Sequence, residues 1–119
     1  MTTVLIVDDE YLIADILSFA LEDEGFLTVT AGSALKALDI LDRERPDLII
    51  TDFMMPGMTG LEFAESIKAK DQFSKIPIML MSGAQAHLAN ERGDLFVSVF
   101  AKPFTIDAVI ASVKAMVKP

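Results

Sequence analysis

Hydrophobic residues fall in short blocks along the chain, and two periodicities alternate. Val4-Leu5-Ile6-Val7 is an apolar, β-branched run that stops at Asp8-Asp9. Such a run suits a strand buried on both faces, with acids at its tip. Leu12, Ile13, Ile16, Leu17, Ala20 and Leu21 then recur at helical spacing, and Gly25 stands where a helix ends. Leu27 to Ala31 reads as a second strand. Ser33 reads as an N-cap for a helix carrying Ala34, Ala37, Leu38 and Leu41, which Pro46 closes.

The third block is the most informative. Asp47 to Gly60 reads DLIITDFMMPGMTG. Leu48-Ile49-Ile50 leads to the carboxylate of Asp52, and Pro56-Gly57 then breaks the chain. Thr59 or Gly60 opens a third helix with Leu61, Ala64 and Ile67 on one face. Ile76 to Ser82 is a fourth strand, with Pro77 near its start, where a missing N–H is tolerated. Ala84 to Arg92 is expected to be a weakly held helix, because Leu88 is its only large apolar anchor. Leu95 to Ala101 is a fifth strand, ending at Lys102-Pro103-Phe104. Thr105 caps a last helix that turns Ile106, Val109, Ile110, Val113 and Val117 to the core.

Five β-α units in succession predict an α/β fold with a parallel sheet covered on both faces. Right-handed crossovers favour the flavodoxin-like doubly wound (βα)5 order 2-1-3-4-5. That order puts the tips of strands one and three side by side, so Asp8, Asp9 and Asp52 share one crevice. No linker, repeat or low-complexity segment interrupts the pattern, so residues 1–119 are expected to form a single domain.

Composition narrows the chemistry. There is no cysteine, which excludes disulfides and thiolate metal sites. The net charge of -8 argues against nucleic acid and anionic membranes as partners. The N-terminus lacks the basic and apolar regions of a secretory signal, and no run approaches the roughly 20 apolar residues of a membrane span. A cytoplasmic location is expected.

Three carboxylates in one crevice repel each other unless a cation joins them. Oxygen ligands without His or Cys select Mg²⁺, which pairs carboxylates with phosphate oxygens. Ser82 and Lys102, at the tips of strands four and five, suit the outer oxygens of a phosphoryl group. Asp52 is then a nucleophile able to form an aspartyl phosphate.

LIVDDE at strand one, DLIITDFMMPGMTG at strand three, MLMSGA at strand four and AKPF after strand five together resemble the response-regulator receiver domain of two-component signalling. The resemblance covers essentially the whole chain and suggests a stand-alone, chemotaxis-regulator-like domain. It implies that Asp52 is the phospho-acceptor. It implies that Asp9 binds Mg²⁺ directly, that Asp8 binds it through water, and that the Met54 carbonyl completes the protein's share. Ser82 matches the family's switch hydroxyl, Lys102 its lysine, and Pro103 a proline usually held in a cis peptide bond. The implied partners are a sensor histidine kinase or histidine phosphotransfer protein and a downstream protein target. The implied role is a switch, not an enzyme that turns over external substrates.

Two features depart from the family. Val99 stands where an aromatic is usual, three residues before the lysine, and alternation should turn Phe100 to the opposite face. Gly93 lies further from Lys102 than is typical. Both concern the output face of the fourth helix, fifth strand and fifth helix. Met54 and Ala84 carry no side chain that orients water, so a long-lived acyl phosphate is expected.

Blander readings stand beside these. Asp8-Asp9 also suits capping of the first helix. Met54, Met55 and Met58 suit packing and loop adaptability better than a soft-metal site. His87, the lone histidine, reads as a surface residue. A haloacid-dehalogenase-like phosphatase needs a second aspartate where Met54 stands. A flavin protein needs a phosphate-cradling loop where Asp8-Asp9-Glu10 would repel one. A non-phosphorylated pseudo-receiver, or a receiver excised from a larger regulator, are the nearest alternatives. The initial Met1 weakly opposes the excised reading.

Overall fold

The computed structural model describes residues 1–83 and 92–119. Its strands are β1 (Thr3–Val7), β2 (Leu27–Ala31), β3 (Leu48–Asp52), β4 (Ile78–Ser82) and β5 (Ser98–Ala101). Its described helices are α1 (Tyr11–Asp23), α2 (Ala34–Glu44), α3 (Gly60–Lys68) and a C-terminal helix (Ile106–Met116). All strand pairs are parallel and the order is β2-β1-β3-β4-β5, as the β-α alternation predicts. No described helix is long and apolar enough to cross a membrane.

The period-two alternation of the strands divides the core. Leu5, Val7, Ile49, Ile78 and Leu80 pack against α2 and α3. Val4, Ile6, Leu48, Ile50, Met79 and Met81 pack against α1 and the C-terminal helix. Every residue of β3 and β4 is buried, which is why these strands read as unbroken apolar runs.

The helix ends follow local chemistry. Ser33 and Thr105 accept N-cap hydrogen bonds, as their positions predict. Thr59 starts α3 through a capping box: it accepts from the Glu62 N–H, and Glu62 accepts from the Thr59 N–H. Gly25 follows α1 at φ +96°, the left-handed conformation that glycine tolerates.

Several expectations need correction. Leu12 and Ile16 are 78% and 51% exposed, because α1 buries only the narrower stripe of Ala14, Leu17 and Leu21. Phe19 joins them on the outside at 69%. Glu10, not Asp8 or Asp9, is the N-cap of α1, and its side chain makes no capping hydrogen bond. Strands β4 and β5 are shorter than predicted. Ile76 closes a turn onto Phe73, and Leu95 and Phe96 turn back onto the Arg92 carbonyl while remaining buried. Val117 stands just past its helix in extended backbone. The expected helix at 84–92, with Ala84, His87 and Leu88, lies outside the described residues except for Arg92, which is not helical. Val99 and Phe100 do face opposite layers.

Candidate functional site

The parallel register builds the site at the carboxyl ends of the strands. Asp52 is the last residue of β3 and pairs with Met81. Ser82 ends β4 and pairs with Ala101, and the next N–H, from Lys102, donates to the Ser82 carbonyl at 2.7 Å. Asp8 follows β1, with its N–H on the Ala31 carbonyl. Side chains separated by dozens of residues thus converge because four neighbouring strands stop together.

Burial is severe for such polar groups. Asp8 is 1% exposed, Asp52 4% and Ser82 0%. Asp8 Oδ1 accepts from the Glu10 N–H at 2.9 Å. Asp8 Oδ2 and Ser82 Oγ have no hydrogen-bond partner among the described residues. A buried polar atom left unpaired costs about 1–3 kcal/mol, so two together mark a place shaped for something else. Lys102 Nζ lies 3.1 Å from Asp52 Oδ1 and 3.7 Å from Glu10 Oε1. A lysine two strands away therefore reaches the acid that sequence placed at the centre.

The electrostatics are dominated by burial. Desolvation raises the Asp8 carboxyl from 3.8 to about 6, with repulsion from Asp52 adding to it. Burial also raises Asp52, against the pull of Lys102. Burial pulls the Lys102 ammonium down, but Asp52 outweighs it and holds it above its ordinary value. Positive charge is what this crevice lacks.

Oxygens of Asp8, Glu10 and Asp52 lie within 4.8 Å of one another, a donor set that fits a hard divalent cation. The unpartnered Asp8 Oδ2 supports the same fit. Asp9 is exposed and stands outside this trio, although its charge reaches Asp52. Met54 is 59% exposed in the loop leaving β3, whereas Met55 is buried and Met58 packs on the core, so the methionines do not converge as a soft-metal site. Glu10 was not singled out by the sequence reading. The signal was there, as the third acid of Asp8-Asp9-Glu10.

The loop after Asp52 is pinned close to that residue's backbone. The Gly60 N–H donates to the Phe53 carbonyl at 2.8 Å, and a Cβ on Gly60 would meet the Asp52 carbonyl oxygen at 2.3 Å. Only glycine lets α3 begin so near the Asp52 backbone. Two cavities flank the crevice. One, about 490 Å³ and mostly apolar, is lined by Ile13, Ile16, Lys102, Pro103, Phe104 and Ile106. The other, about 210 Å³, includes Asp8, Tyr11, Asp15, Thr30 and Lys36. The Lys102–Pro103 peptide is cis, as the resemblance implies.

Comparison with known proteins agrees with this geometry. Residues 4–114 match the family described as the response regulator receiver domain. Sporulation initiation phosphotransferase F of Bacillus subtilis is 38% identical over 111 residues, covering 93% of this chain and 90% of that protein. The probable transcriptional regulatory protein TcrX of Mycobacterium tuberculosis is 32% identical, and the chain spans about half its length, 98% of this chain against 50% of TcrX. The response regulator TrrA of Thermotoga maritima, solved in complex with Mg²⁺-BeF, superposes with a TM-score of 0.86 at 31% identity, covering 98% of this chain and 100% of that one. The chemotaxis response regulator CheY4 of Vibrio cholerae gives a TM-score of 0.88 at 28% identity, covering 98% and 99%. With fold, strand-tip acids and family match in agreement, the chain belongs to the response-regulator receiver domains.

Proposed function

We propose that this receiver accepts a phosphoryl group on Asp52 and acts as a switch, not as an enzyme that turns over external substrates. One observation carries this reading. A buried carboxylate at the tip of β3 is bonded to Lys102, and a buried hydroxyl without a described partner, Ser82 Oγ, lies at the tip of the next strand. Asp52 attacks the phosphorus of a phosphohistidine; the new P–O bond forms as the P–N bond breaks, and the imidazole leaves. Lys102 and Ser82 move onto the phosphoryl oxygens, giving Ser82 the partner it lacks and Lys102 a more highly charged one. Asp8, Asp9, Asp52 and the Met54 carbonyl are the proposed holders of Mg²⁺, with Glu10 beside them. When bound, the cation offsets the repulsion between the carboxylate and the incoming phosphoryl group.

The donor is a histidine kinase or a histidine phosphotransfer protein. The outward residues Leu12, Ile16 and Phe19 of α1, beside the cavity that Lys102 helps to line, give it an apolar place to dock. Output runs through a protein partner, because the net charge of -8 disfavours nucleic acid. The setting is the cytoplasm, where such donors act. Position 54 holds a methionine, so a second acid for turnover chemistry is missing there.

Intact mass after incubation with Mg²⁺ and a small acyl-phosphate donor tests the reading. A single phosphoryl addition that requires both Mg²⁺ and Asp52, and is lost in Asp52→Ala, is expected. No addition to a folded protein would leave a pseudo-receiver that binds partners without phosphorylation.

A further inference from the structure

We propose that Glu10 is a positioning residue for Lys102: it is the lysine's second counter-ion, and it keeps the ammonium at the pocket when a divalent cation draws on the charge of Asp52. The inference rests on the receiver reading above and adds a residue to it. Lys102 Nζ stands between two carboxylates, 3.1 Å from Asp52 and 3.7 Å from Glu10. A cation on Asp52 competes with the ammonium for the same charge and repels it. A lysine with Asp52 as its sole anion must then weaken the cation or leave the site. Glu10 eases that conflict by giving the ammonium a second anion, 3.7 Å away, when the charge of Asp52 is shared with the cation.

Its position is built, not incidental. The Glu10 N–H donates to Asp8 Oδ1, and the Glu10 carbonyl accepts from the Ile13 and Ala14 N–H groups. The residue is therefore tied on one side to a buried acid of the site and on the other to the first turn of α1. Capping does not explain the side chain, which makes no cap hydrogen bond. It is 60% exposed, so its share is modest, and it acts through Lys102.

Calorimetric titration of Mg²⁺ into the full chain tests this with four proteins: the parent, Glu10→Gln, Lys102→Met and the double variant. Glu10→Gln is expected to weaken Mg²⁺ binding about 5-fold, the size of one partly exposed ion pair. Lys102→Met alone is expected to tighten it. In the Lys102→Met background, Glu10→Gln is expected to change nothing, and Glu10→Asp in the parent restores part of the loss. Equal weakening in both backgrounds would overturn the proposal, because Glu10 would then act on the cation itself. No weakening in either background would overturn it as well. If the parent, folded by thermal melt, takes up no Mg²⁺, the receiver reading fails together with the proposal; that outcome is distinct because it precedes any change at Glu10.

Discussion

The centre of the sheet and its β5 edge contribute to the same site in opposite ways. β3 and β4 are buried along their whole length and present Asp52 and Ser82 as fixed groups at 4% and 0% exposure. β5 is only partly buried, and its contribution, Lys102, is a long side chain that reaches across to Asp52. Asp52 is held by packing, whereas its cationic partner is held by charge. Changes in the centre should therefore act through stability, and changes at the edge through affinity and rate.

The largest expected effect breaks the centre. Ile49→Ala, at a fully buried position, should cost about 4 kcal/mol, against about 1 kcal/mol for Val99→Ala on β5. Denaturant melts of both variants check this, and equal losses would erase the contrast. Gly60→Ala should lie near the larger figure, since the new methyl meets backbone at 2.3 Å.

A second expectation concerns the exposed loop between these regions. Met54→Gln places a hydrogen-bonding group two residues after Asp52, the proposed acceptor, where the native side chain cannot orient water. Acyl-phosphate decay, followed by mass after removal of the donor, should quicken about 10-fold, which is about 1.4 kcal/mol in the barrier. Decay as fast in the parent as in the variant would refute the idea of a long-lived phosphate. Smaller again is the capping box: Thr59→Ala should lower stability by about 1 kcal/mol and leave Mg²⁺ affinity near its parental value.

The smallest expected effect is in pH. Burial raises the carboxyls of Asp8, to about 6, and Asp52, so the folded protein binds these protons more tightly than the unfolded chain does. The stabilising contribution of Asp8 is complete below about pH 3.8 and is lost as pH rises through about 6, and that of Asp52 is lost in the same direction. Without Mg²⁺, the melting temperature should thus climb by a few degrees between pH 7 and pH 5, as scanning calorimetry can show. With Mg²⁺ the trend should reverse, because protonation removes the cation's ligands. A metal-free melting temperature that falls over this window would refute the upward shift of the two carboxyls.

The sequence was most legible where burial is greatest. Leu48-Ile49-Ile50 and Val4-Leu5-Ile6-Val7 have no polar face, so strand type, parallel order and the meeting of Asp8 with Asp52 all followed from them. Legibility fell where apolar residues serve the surface. Leu12 and Ile16 fit a helical stripe as well as Leu17 does, and periodicity alone cannot tell a core face from an outward apolar face. The β5 segment misled in the other direction: Leu95 and Phe96 are buried by a turn, not by a strand. The role of Glu10 left no mark in the sequence because it depends on the reach of Lys102, which is a matter of side-chain distance between residues 92 positions apart and leaves no spacing rule in the chain. Ser82 was placed correctly because a strand end is a backbone property, fixed by hydrogen-bonding register.

Tyr11 is the only tyrosine, there is no tryptophan, and the ring is exposed at the small cavity that contains Asp8. The ultraviolet emission of the whole molecule therefore originates almost entirely at one point, a few residues from the acids. Quenching by the nearby carboxylates and by Lys36 depends on their charge. The molecule carries its own optical gauge of events at that crevice, readable without a dye and without altering a residue.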